Sequence, residues 1–380
     1  MNKIKTPISI LEFGSACIKL CVYDSQSLNR NLFYEEKIDS KKKDKLLVDN
    51  YIIKLVKKAE KDLEQHLNEI LLIIDSPSIH SIDISIQKFY DNKPFKNDDI
   101  NYLINQCKQI IISNNSDKDI LHAIISKINL DDKTIEDYEN ISTNVFKAEI
   151  DVKFIVINKK IYNDLKNFFI KEHISLKNIY CSSYIKSLGI IDKIGMSEFS
   201  SFIDIGLNKS SLLIFRKNKL LYINNTHVGG DHITKDISKV LNIDYRKAEA
   251  EKLKFSKKNK LNNNTEEKEI LKKIINARLE EIVELLFLEC PLIKNNIFSS
   301  DLSLFFTGNG SKVLNENMLS FGSDFDFINE MTIVDEEKKD CCDSAVKFQF
   351  TQEKIQPHAL NQSLENKGFF EKLFEYFAKN

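Results

Sequence analysis

The chain has 380 residues, of which 42% are hydrophobic and 29% are charged, and its net charge is −1 at pH 7. This length allows two or three domains with a substantial core. The balanced charge, with no Lys/Arg stripe carrying interleaved aromatic residues, excludes a typical nucleic-acid-binding protein. Seven cysteines without a CxxC pair favour reduced, cytosolic thiols. The sequence contains no run of about 18 apolar residues, so it predicts no membrane-spanning segment. Glu12 ends the first apolar run too early for a signal peptide.

The first predicted elements are two strands joined by a glycine turn. Residues 8–11 and 20–23 are apolar, Gly14 lies in the turn, and Glu12 precedes that glycine by two residues. Backbone N–H groups that are bared in such a turn bind anions. The segment therefore predicts a loop that faces phosphate, with a carboxylate beside it.

A helix, a buried strand and an inserted module follow. The apolar periodicity predicts a helix over residues 46–69 and a strand over residues 70–74. Between residues 76 and 156 the pattern changes to short alternating strands around a helix near residues 98–112, which predicts a small α+β module. Strands that alternate with helices return in residues 157–192, as expected for α/β layers.

Residues 202–231 repeat the organisation of the first hairpin. Asp204 ends an apolar run, Gly206 begins the turn, and Gly229 and Gly230 open an amphipathic helix after a third apolar run. The N-terminus of a helix is a second kind of anion-binding site. The repeated pattern predicts two related halves around a nucleoside triphosphate, with a carboxylate able to hold hydrated Mg²⁺.

Glycine is scarce, with 10 in the chain, whereas an average protein contains about 7%. Such a chain is expected to keep glycine where a positive φ or a close backbone approach is required. The glycines at strand ends and helix starts therefore mark the predicted site. They are Gly14, Gly206, Gly229, Gly230, Gly308 and Gly310, the last two following a strand predicted over residues 302–306.

The C-terminal part is predicted to be a polar linker followed by an amphipathic helix. Residues 352–366 are polar and contain Pro357, whereas residues 367–380 regain helical periodicity. The apolar arc that we expect to enter a membrane surface contains Phe369, Phe370, Leu373, Phe374 and Phe377. A terminal helix that packs on the protein's own core is the alternative.

The chain resembles the FtsA family of bacterial cell-division proteins, which belongs to the superfamily of actin, sugar kinases and Hsp70. Residues 12–19 are similar to the family's first phosphate loop, residues 204–210 to its second, and residues 307–310 to its adenine-side glycine loop. Residues 228–237 are the most specific match, and residues 250–254 resemble the segment beside the adenosine.

The resemblance implies an α/β, actin-like ATPase fold of two lobes, built from duplicated RNase H-like domains, with ATP and Mg²⁺ in the cleft. Residues 119–122 resemble part of the inserted subdomain that distinguishes the family from actin. The expected division is residues 1–75, 157–195 and 336–351 in lobe I, 76–156 in the inserted FtsA-type α+β subdomain, 196–243 and 299–335 in the core of lobe II, 244–298 in its helical subdomain, 352–366 in the linker and 367–380 in the membrane-targeting helix.

The resemblance also implies which residues form the site. Glu12 and Asp204 are expected to hold the metal. The expected nucleotide contacts are Gly14, Ser15, Lys19, Gly206, Asn208, Lys209, Ser210, Gly229, Gly230, Asp231, Glu251, Lys254, Gly308, Asn309 and Gly310. The sequence identifies no catalytic base.

The second phosphate loop departs from the family pattern of consecutive glycines and a Thr pair. Leu207, Asn208, Lys209 and Ser210 stand there instead. Asn tolerates the left-handed conformation, so the turn can still form. Lys209 either meets a phosphate oxygen or fills the space of one. We therefore expect ATP binding with slow or absent hydrolysis.

The resemblance implies a peripheral protein on the cytoplasmic side of the inner membrane, which polymerises at the division site and tethers the FtsZ ring. Its expected partners are FtsZ, further copies of itself, membrane lipids and other division proteins, and no nucleic acid. An alternative is a nucleotide-independent scaffold like PilM of type IV pili. A small-molecule kinase is a third hypothesis, for which the sequence shows no substrate-side base. His227, Asp231 and His232 are interpreted as a local turn and not as a metal site.

Overall fold

The structure is a computed structural model that describes residues 7–38, 45–135, 141–195, 197–258, 266–288, 290–294, 302–314 and 325–355. These residues form three sheets, two with five strands and one with four. The two larger sheets belong to two similar halves, which we call lobe I and lobe II.

Lobe I is built on the first five-stranded sheet. Its strands are β1 Pro7–Phe13, β2 Cys17–Asp24, β3 Arg30–Lys37, β4 Glu69–Ile74 and β9 Ser175–Cys181, and its helices are α1 Lys45–Leu63, α3 Lys159–Lys171, α4 Ser182–Ile194 and α9 Asp340–Ile355. The strand order is β3–β2–β1–β4–β9. β1 and β2 form an antiparallel hairpin, and β4 runs parallel to β1 and to β9.

Lobe II repeats this topology. Its strands are β10 Phe199–Ile205, β11 Ser210–Arg216, β12 Lys219–Thr226, β13 Leu302–Thr307 and β14 Ile328–Ile333, and its helices are α5 Gly230–Val240, α6 Tyr245–Lys258, α7 Glu266–Phe287 and α8 Pro291–Lys294. The order β12–β11–β10–β13–β14 again places an antiparallel hairpin beside parallel strands. The repeated carboxylate–glycine pattern in the sequence thus corresponds to two sheets of the same topology.

The third sheet lies between β4 and α3 in the chain. It contains β5 His80–Lys96, β6 Lys118–Leu130, β7 Lys133–Ile135 and β8 Ser142–Asn158, in the antiparallel order β5–β8–β6–β7, with helix α2 Asn97–Asn114 packed on it. The helix predicted near residues 98–112 is confirmed. The strands are longer than predicted, because β5 pairs with β8 along most of its length. A bulge, with Asp91 and Asn92 at positive φ, lets β5 continue through its polar second half.

The two lobes share a continuous core, because the sheet of lobe II is buried on both faces. Successive side chains of a strand point to opposite faces. Phe202 and Phe215 accordingly pack with the core of lobe I, while Ile203 and Ile214 pack with the helices of lobe II. The ring of Tyr184 on α4 stacks on Phe215 at a centroid distance of 6.2 Å. This packing brings the turns of both hairpins to the same place between the lobes.

The last described helix extends further than predicted. α9 runs to Ile355, so its final turn occupies the first part of the predicted linker 352–366. Gln352, Glu353 and Lys354 are good helix formers, and the first residue that cannot continue a helix is Pro357. Residues 356–380, which include the predicted membrane-targeting helix and its five apolar positions, lie outside the described residues.

Candidate functional site

A cavity of about 470 Å³ lies where the turns of the two hairpins meet. Both lobes contribute to its wall, together with the 3₁₀ turn Asn309–Val313 that follows β13. Of the residues predicted from the sequence, those that line it are Glu12, Gly14, Ser15, Lys19, Asp204, Gly206, Gly230, Gly308, Asn309 and Gly310. The structure therefore brings together segments that are widely separated along the chain.

The hairpin turns offer free backbone donors to this cavity. The N–H of Gly14 donates to the carbonyl of Cys17 at 3.0 Å, and the N–H of Gly206 donates to the carbonyl of Lys209 at 2.9 Å, which closes each turn. Within the described part of the chain, the N–H groups of Ser15 and Leu207 at the turn tips have no hydrogen-bond partner. Both residues line the cavity, so an anion can accept hydrogen bonds from them.

The N-terminus of α5, in contrast, is occupied by protein groups. The N–H of Gly230 donates to the carbonyl of Gly206 at 2.9 Å, and the N–H of Asp231 donates to that of Leu207 at 2.8 Å. A Cβ on Gly229 would lie 2.8 Å from three backbone atoms of the hairpin turn. Gly229 is therefore required for the close approach of α5 to the turn, and it does not line the cavity.

Lys209 does not face the cavity. Its side chain is 5% exposed, and its ammonium forms an ion pair with Asp75 at the end of β4. The same ammonium donates to Oδ1 of Asn225 at 3.0 Å. Lys209 therefore neither contacts nor replaces a phosphate in this geometry, and it connects the second hairpin turn to lobe I instead.

Asn208, Ser210 and Asp231 also lie outside the cavity wall. The buried hydroxyl of Ser210 donates to the carbonyl of Val228 at 2.8 Å. Asp231 accepts a hydrogen bond from Tyr245 at 2.6 Å and pairs with Lys235 at 2.7 Å. Burial opposes the charge of Asp231, but these two partners outweigh it and keep the pKa of its carboxyl below the ordinary value. Ser210 and Asp231 therefore stabilise the loop and the helix start.

Helix α6 presents different residues to the cavity than predicted. Glu251 and Lys254 pair with each other at 2.6 Å and lie outside the wall, whereas Glu249 and Lys252 line it. Lys252 is 7% exposed, and its ammonium donates to the carbonyl of Gly230 at 3.0 Å and to the hydroxyl of Thr234 at 2.6 Å. Helix α6 thus lines the cavity, but with residues other than the predicted Glu251 and Lys254.

Lys186 and Glu336 are the most important residues that the sequence reasoning missed. Lys186 lies on α4, and its Nζ is 3.1 Å from Oδ2 of Asp204 and 4.0 Å from Oε2 of Glu336. Glu336 accepts a hydrogen bond from the N–H of Gly308 at 2.9 Å. The sequence of α4 does not show which residue Lys186 contacts. Only the packing of α4 against lobe II brings Lys186 to Asp204.

Both carboxylates that were expected to hold Mg²⁺ are paired with lysines. Nζ of Lys19 lies 2.9 Å from Oε2 of Glu12, and Nζ of Lys186 contacts both oxygens of Asp204. Burial disfavours charge on Lys186, but Asp204 and then Glu336 outweigh it, so the pKa of its ammonium lies well above the ordinary value. Among the described residues, no group of three or more His, Cys, Asp and Glu side chains is placed to hold a metal. Because a lysine contacts each of the two carboxylates, the geometry does not fit the expected Mg²⁺ site.

Asp231 and His232 lie in the first turn of α5, and His227 lies in the bend that precedes this helix. Nδ1 of His232 accepts a hydrogen bond from the N–H of Gly229 at 3.2 Å.

No helix in the described ranges is long and apolar enough to cross a membrane.

Residues 201–315 of the chain match the family model for cell division protein FtsA. The chain is similar to the cell division protein FtsA of two strains of Helicobacter pylori, with 28% identity over 159 residues in each case. The aligned region is 42% of this chain and 32% or 31% of the relatives, so the chain spans about a third of the length of the curated relatives it matches.

Several solved structures resemble the whole described fold at low identity. The PilM–PilN type IV pilus biogenesis complex matches with a TM-score of 0.60 at 11% identity, covering 94% of this chain and 96% of that chain. MreB5 of Spiroplasma citri bound to ADP matches with a TM-score of 0.53 at 13% identity, covering 93% and 99%. The ethanolamine utilization protein EutJ from Carboxydothermus hydrogenoformans matches with a TM-score of 0.50 at 12% identity, covering 90% and 89%.

These structural matches show the actin-like ATPase fold, which confirms the fold expected from the sequence. The family match covers the second hairpin, the helices of lobe II and the glycine loop after β13. Residues 201–315 of the chain are therefore similar to cell division protein FtsA, and the described fold is actin-like.

Proposed function

We propose that the chain binds ATP in the cavity between its two lobes and acts as an actin-like protein of cell division. The observation that carries this proposal is the cavity itself, in which the glycine turns of two duplicated sheets and a third glycine loop converge. Its volume of about 470 Å³ is within the range of small-ligand sites. The ADP-bound MreB5 structure, which has a similar fold, supports a nucleotide as the ligand.

The chemistry of the wall supports a phosphorylated ligand with an apolar base. Leu253, Ile233 and Val313 give the wall apolar surface that suits a purine ring. Lys19 and Lys186 bring ammonium groups, and the hairpin turns bring free N–H donors. Cationic donors and bared N–H groups are the usual partners of phosphate oxygens in proteins.

The cellular role follows from the similarity to FtsA, and all of it is part of the proposal. The protein lies on the cytoplasmic face of the inner membrane at the division site, assembles with further copies of itself, and tethers the FtsZ ring together with other division proteins. Residues 367–380, with their apolar arc of Phe369, Phe370, Leu373, Phe374 and Phe377, attach it to lipids. The match over residues 201–315 supports this role.

A titration with labelled ATP tests the proposal. Leu253 lines the cavity and is 51% exposed, so Leu253→Glu places a negative charge beside the nucleotide without disturbing the core. We expect this variant to weaken ATP binding by about tenfold or more. Val240→Glu is the matched control, because Val240 is 60% exposed on α5 and does not line the cavity. Equal affinity in the two variants would contradict the site.

A nucleotide-independent scaffold similar to PilM is the second candidate. The observation that favours it is the match to the PilM–PilN complex, which covers 94% of this chain. Wild-type protein that binds no ATP under any ionic condition, while still binding membranes and assembling, would favour this second candidate.

A further inference from the structure

Lys186 occupies a special position in the cavity. It lies on α4 of lobe I, yet its ammonium reaches across to Asp204 of lobe II, with Nζ 3.1 and 3.3 Å from the two carboxylate oxygens. Oε2 of Glu336 lies 4.0 Å away. The charge of Lys186 is therefore held between two acidic side chains at the wall of the cavity, which is the place where a divalent cation would be expected.

The surroundings of Asp204 leave little space for a hydrated metal ion. Asp204 is 5% exposed, and a Cβ on Gly308 would lie only 2.3 Å from its Oδ1, so the backbone of the glycine loop covers that side. Mg²⁺ demands octahedral oxygen coordination and usually keeps several of its waters. A second cation would also be repelled by the ammonium of Lys186, which is already in contact with both oxygens.

Lys19 forms an ion pair with Glu12, the other expected metal ligand. Its Nζ lies 2.9 Å from Oε2 of Glu12, and its side chain is 12% exposed. Burial opposes its charge, but Glu12 outweighs burial and raises the pKa of Lys19 above the ordinary value. Each ammonium carries three N–H donors, so each retains donors for a phosphate after the contact with its carboxylate. Together the two lysines bring the same charge as one Mg²⁺.

We infer that the cavity holds the phosphates of its nucleotide through Lys186 and Lys19, without a divalent cation. This inference rests on the proposed function, because it concerns the same cavity and the same ligand. It departs from the metal expected from the family resemblance. In this cavity the ammonium groups, and not a metal, contact both the carboxylates and the phosphate oxygens.

The first test uses the unmodified full chain. Binding of labelled ATP is measured in excess EDTA and again with Mg²⁺ in place of the chelator. We expect dissociation constants that agree within about threefold, which is less than 1 kcal/mol. A loss of affinity of about tenfold or more in EDTA would overturn the inference while leaving the proposed function intact. ATP that fails to bind in either condition would instead contradict the proposed function.

The second test changes the lysine. Lys186→Met removes the ammonium and frees Asp204 and Glu336, so we expect ATP affinity in EDTA to fall by about tenfold or more and Mg²⁺ to restore part of it. The matched control is Lys193→Met on the same helix, because Lys193 is 56% exposed and pairs with Asp340 outside the cavity. Wild-type affinity of Lys186→Met in EDTA would overturn the inference.

Lys186→Met leaves Asp204 buried without its partner, which can destabilise the fold. A third variant therefore distinguishes a loss of ATP binding from a folding defect. The double variant Lys186→Met/Asp204→Asn neutralises both groups at once. We expect it to melt close to the wild type, to bind ATP about tenfold or more weakly in EDTA, and to gain nothing from Mg²⁺. Affinity equal to that of the wild type would again overturn the inference.

Discussion

His122 is a histidine that is buried inside lobe I. The rings of Tyr180, Tyr184 and Phe348 surround it, with centroids 5.4, 4.9 and 5.7 Å from its own. Its Nε2 accepts a hydrogen bond from the N–H of Cys181 at 2.9 Å, which joins β6 to the end of β9. Burial lowers the pKa of His122 from 6.5 to about 3, so the ring stays neutral in the folded protein.

We predict that His122 makes the fold less stable in acid. Its pKa is depressed in the folded state, so the unfolded chain binds the proton first, and the free energy of unfolding falls as the pH drops from 6.5 towards about 3. The slope due to this residue is about 1.4 kcal/mol per pH unit. Urea unfolding of the wild type and of His122→Gln, which keeps an acceptor for Cys181, measures the difference in slope. His66→Gln is the control, since His66 is 89% exposed. Parallel pH profiles for all three proteins would contradict the prediction.

Helix α6 lines the cavity with one of its sides, and the predicted contacts Glu251 and Lys254 lie on the other. At about 100° per residue, Glu249, Lys252 and Leu253 share one side of the helix, and Glu251 and Lys254 lie on the other. Lys252 and Glu249 reach Thr234 on α5, which orients that side towards the cavity. Charged residues stand on both sides, so the periodicity of the sequence alone does not distinguish them.

The second hairpin turn and the segment after β4 form a connection between the lobes. Lys209 pairs with Asp75 and donates to Asn225, and Asn225 in turn donates to the carbonyl of Ile79. These contacts attach the β10–β11 turn to lobe I beside the cavity. Because Lys209 is almost completely buried, Asp75 is the acidic partner that compensates the cost of burying its ammonium.

We predict that this connection stabilises the fold. Lys209→Met is expected to lower the free energy of unfolding by about 2–4 kcal/mol, because it leaves Asp75 without its cation. The loss in the double variant Lys209→Met/Asp75→Asn should be smaller than the sum of the single losses, with a coupling of about 1–3 kcal/mol. Urea midpoints of the four proteins give this value. The exposed pair Lys254–Glu251 is the control and should couple by less than about 1 kcal/mol. Additive losses at Lys209 and Asp75 would contradict the connection.

At the scale of the whole molecule, the inserted module is not independent of lobe I. Strands β6 and β8 have one face in the module's own core and the other in the core of lobe I. Phe154 and Val156 pack with the module, whereas Leu121, Ile155 and Ile157 pack with lobe I. The module predicted over residues 76–156 therefore covers part of the hydrophobic core that it joins.

We predict that deletion of residues 76–156 destabilises the remaining chain. The loss of Leu121 and Ile155 from the core of lobe I alone removes about 1.5–3 kcal/mol for each side chain. We expect the melting temperature to fall by about 10 °C or more. Phe89→Ser is the control, because Phe89 is 69% exposed on the module and its loss should leave the melting temperature unchanged. A deletion variant that melts like the wild type would show that the module is separable.

We predict that residues 367–380 bind membranes and do not contribute to the stability of the fold. Removal of these residues, or Phe374→Asp, should release the protein from liposomes in a sedimentation assay without a change in melting temperature, because the apolar arc is lost. Glu371→Gln changes the opposite side of the predicted helix and should leave binding intact. A truncated protein that still sediments, or that loses several degrees of stability, would favour a helix packed on the protein's own core.

The sequence by itself determined the duplicated α/β plan and the glycine turns of the cavity wall. Apolar runs separated by glycine turns are local patterns, and a glycine such as Gly308, with φ of 84°, is required by its own backbone conformation. The segments around Gly14, Gly206 and Gly310 could therefore be recognised without knowledge of their neighbours.

Only the tertiary structure decided which charges face each other. Lys186 meets Asp204, and Lys209 meets Asp75, because two lobes pack together, and no local spacing encodes those pairs. The same packing pairs Asp204, an expected metal ligand, with the partly buried Lys186, whereas Glu12 meets its partner Lys19 directly across the strands of its own hairpin. An ion pair depends on distances of a few ångströms between groups far apart in the chain, and these distances exist only after the chain has folded.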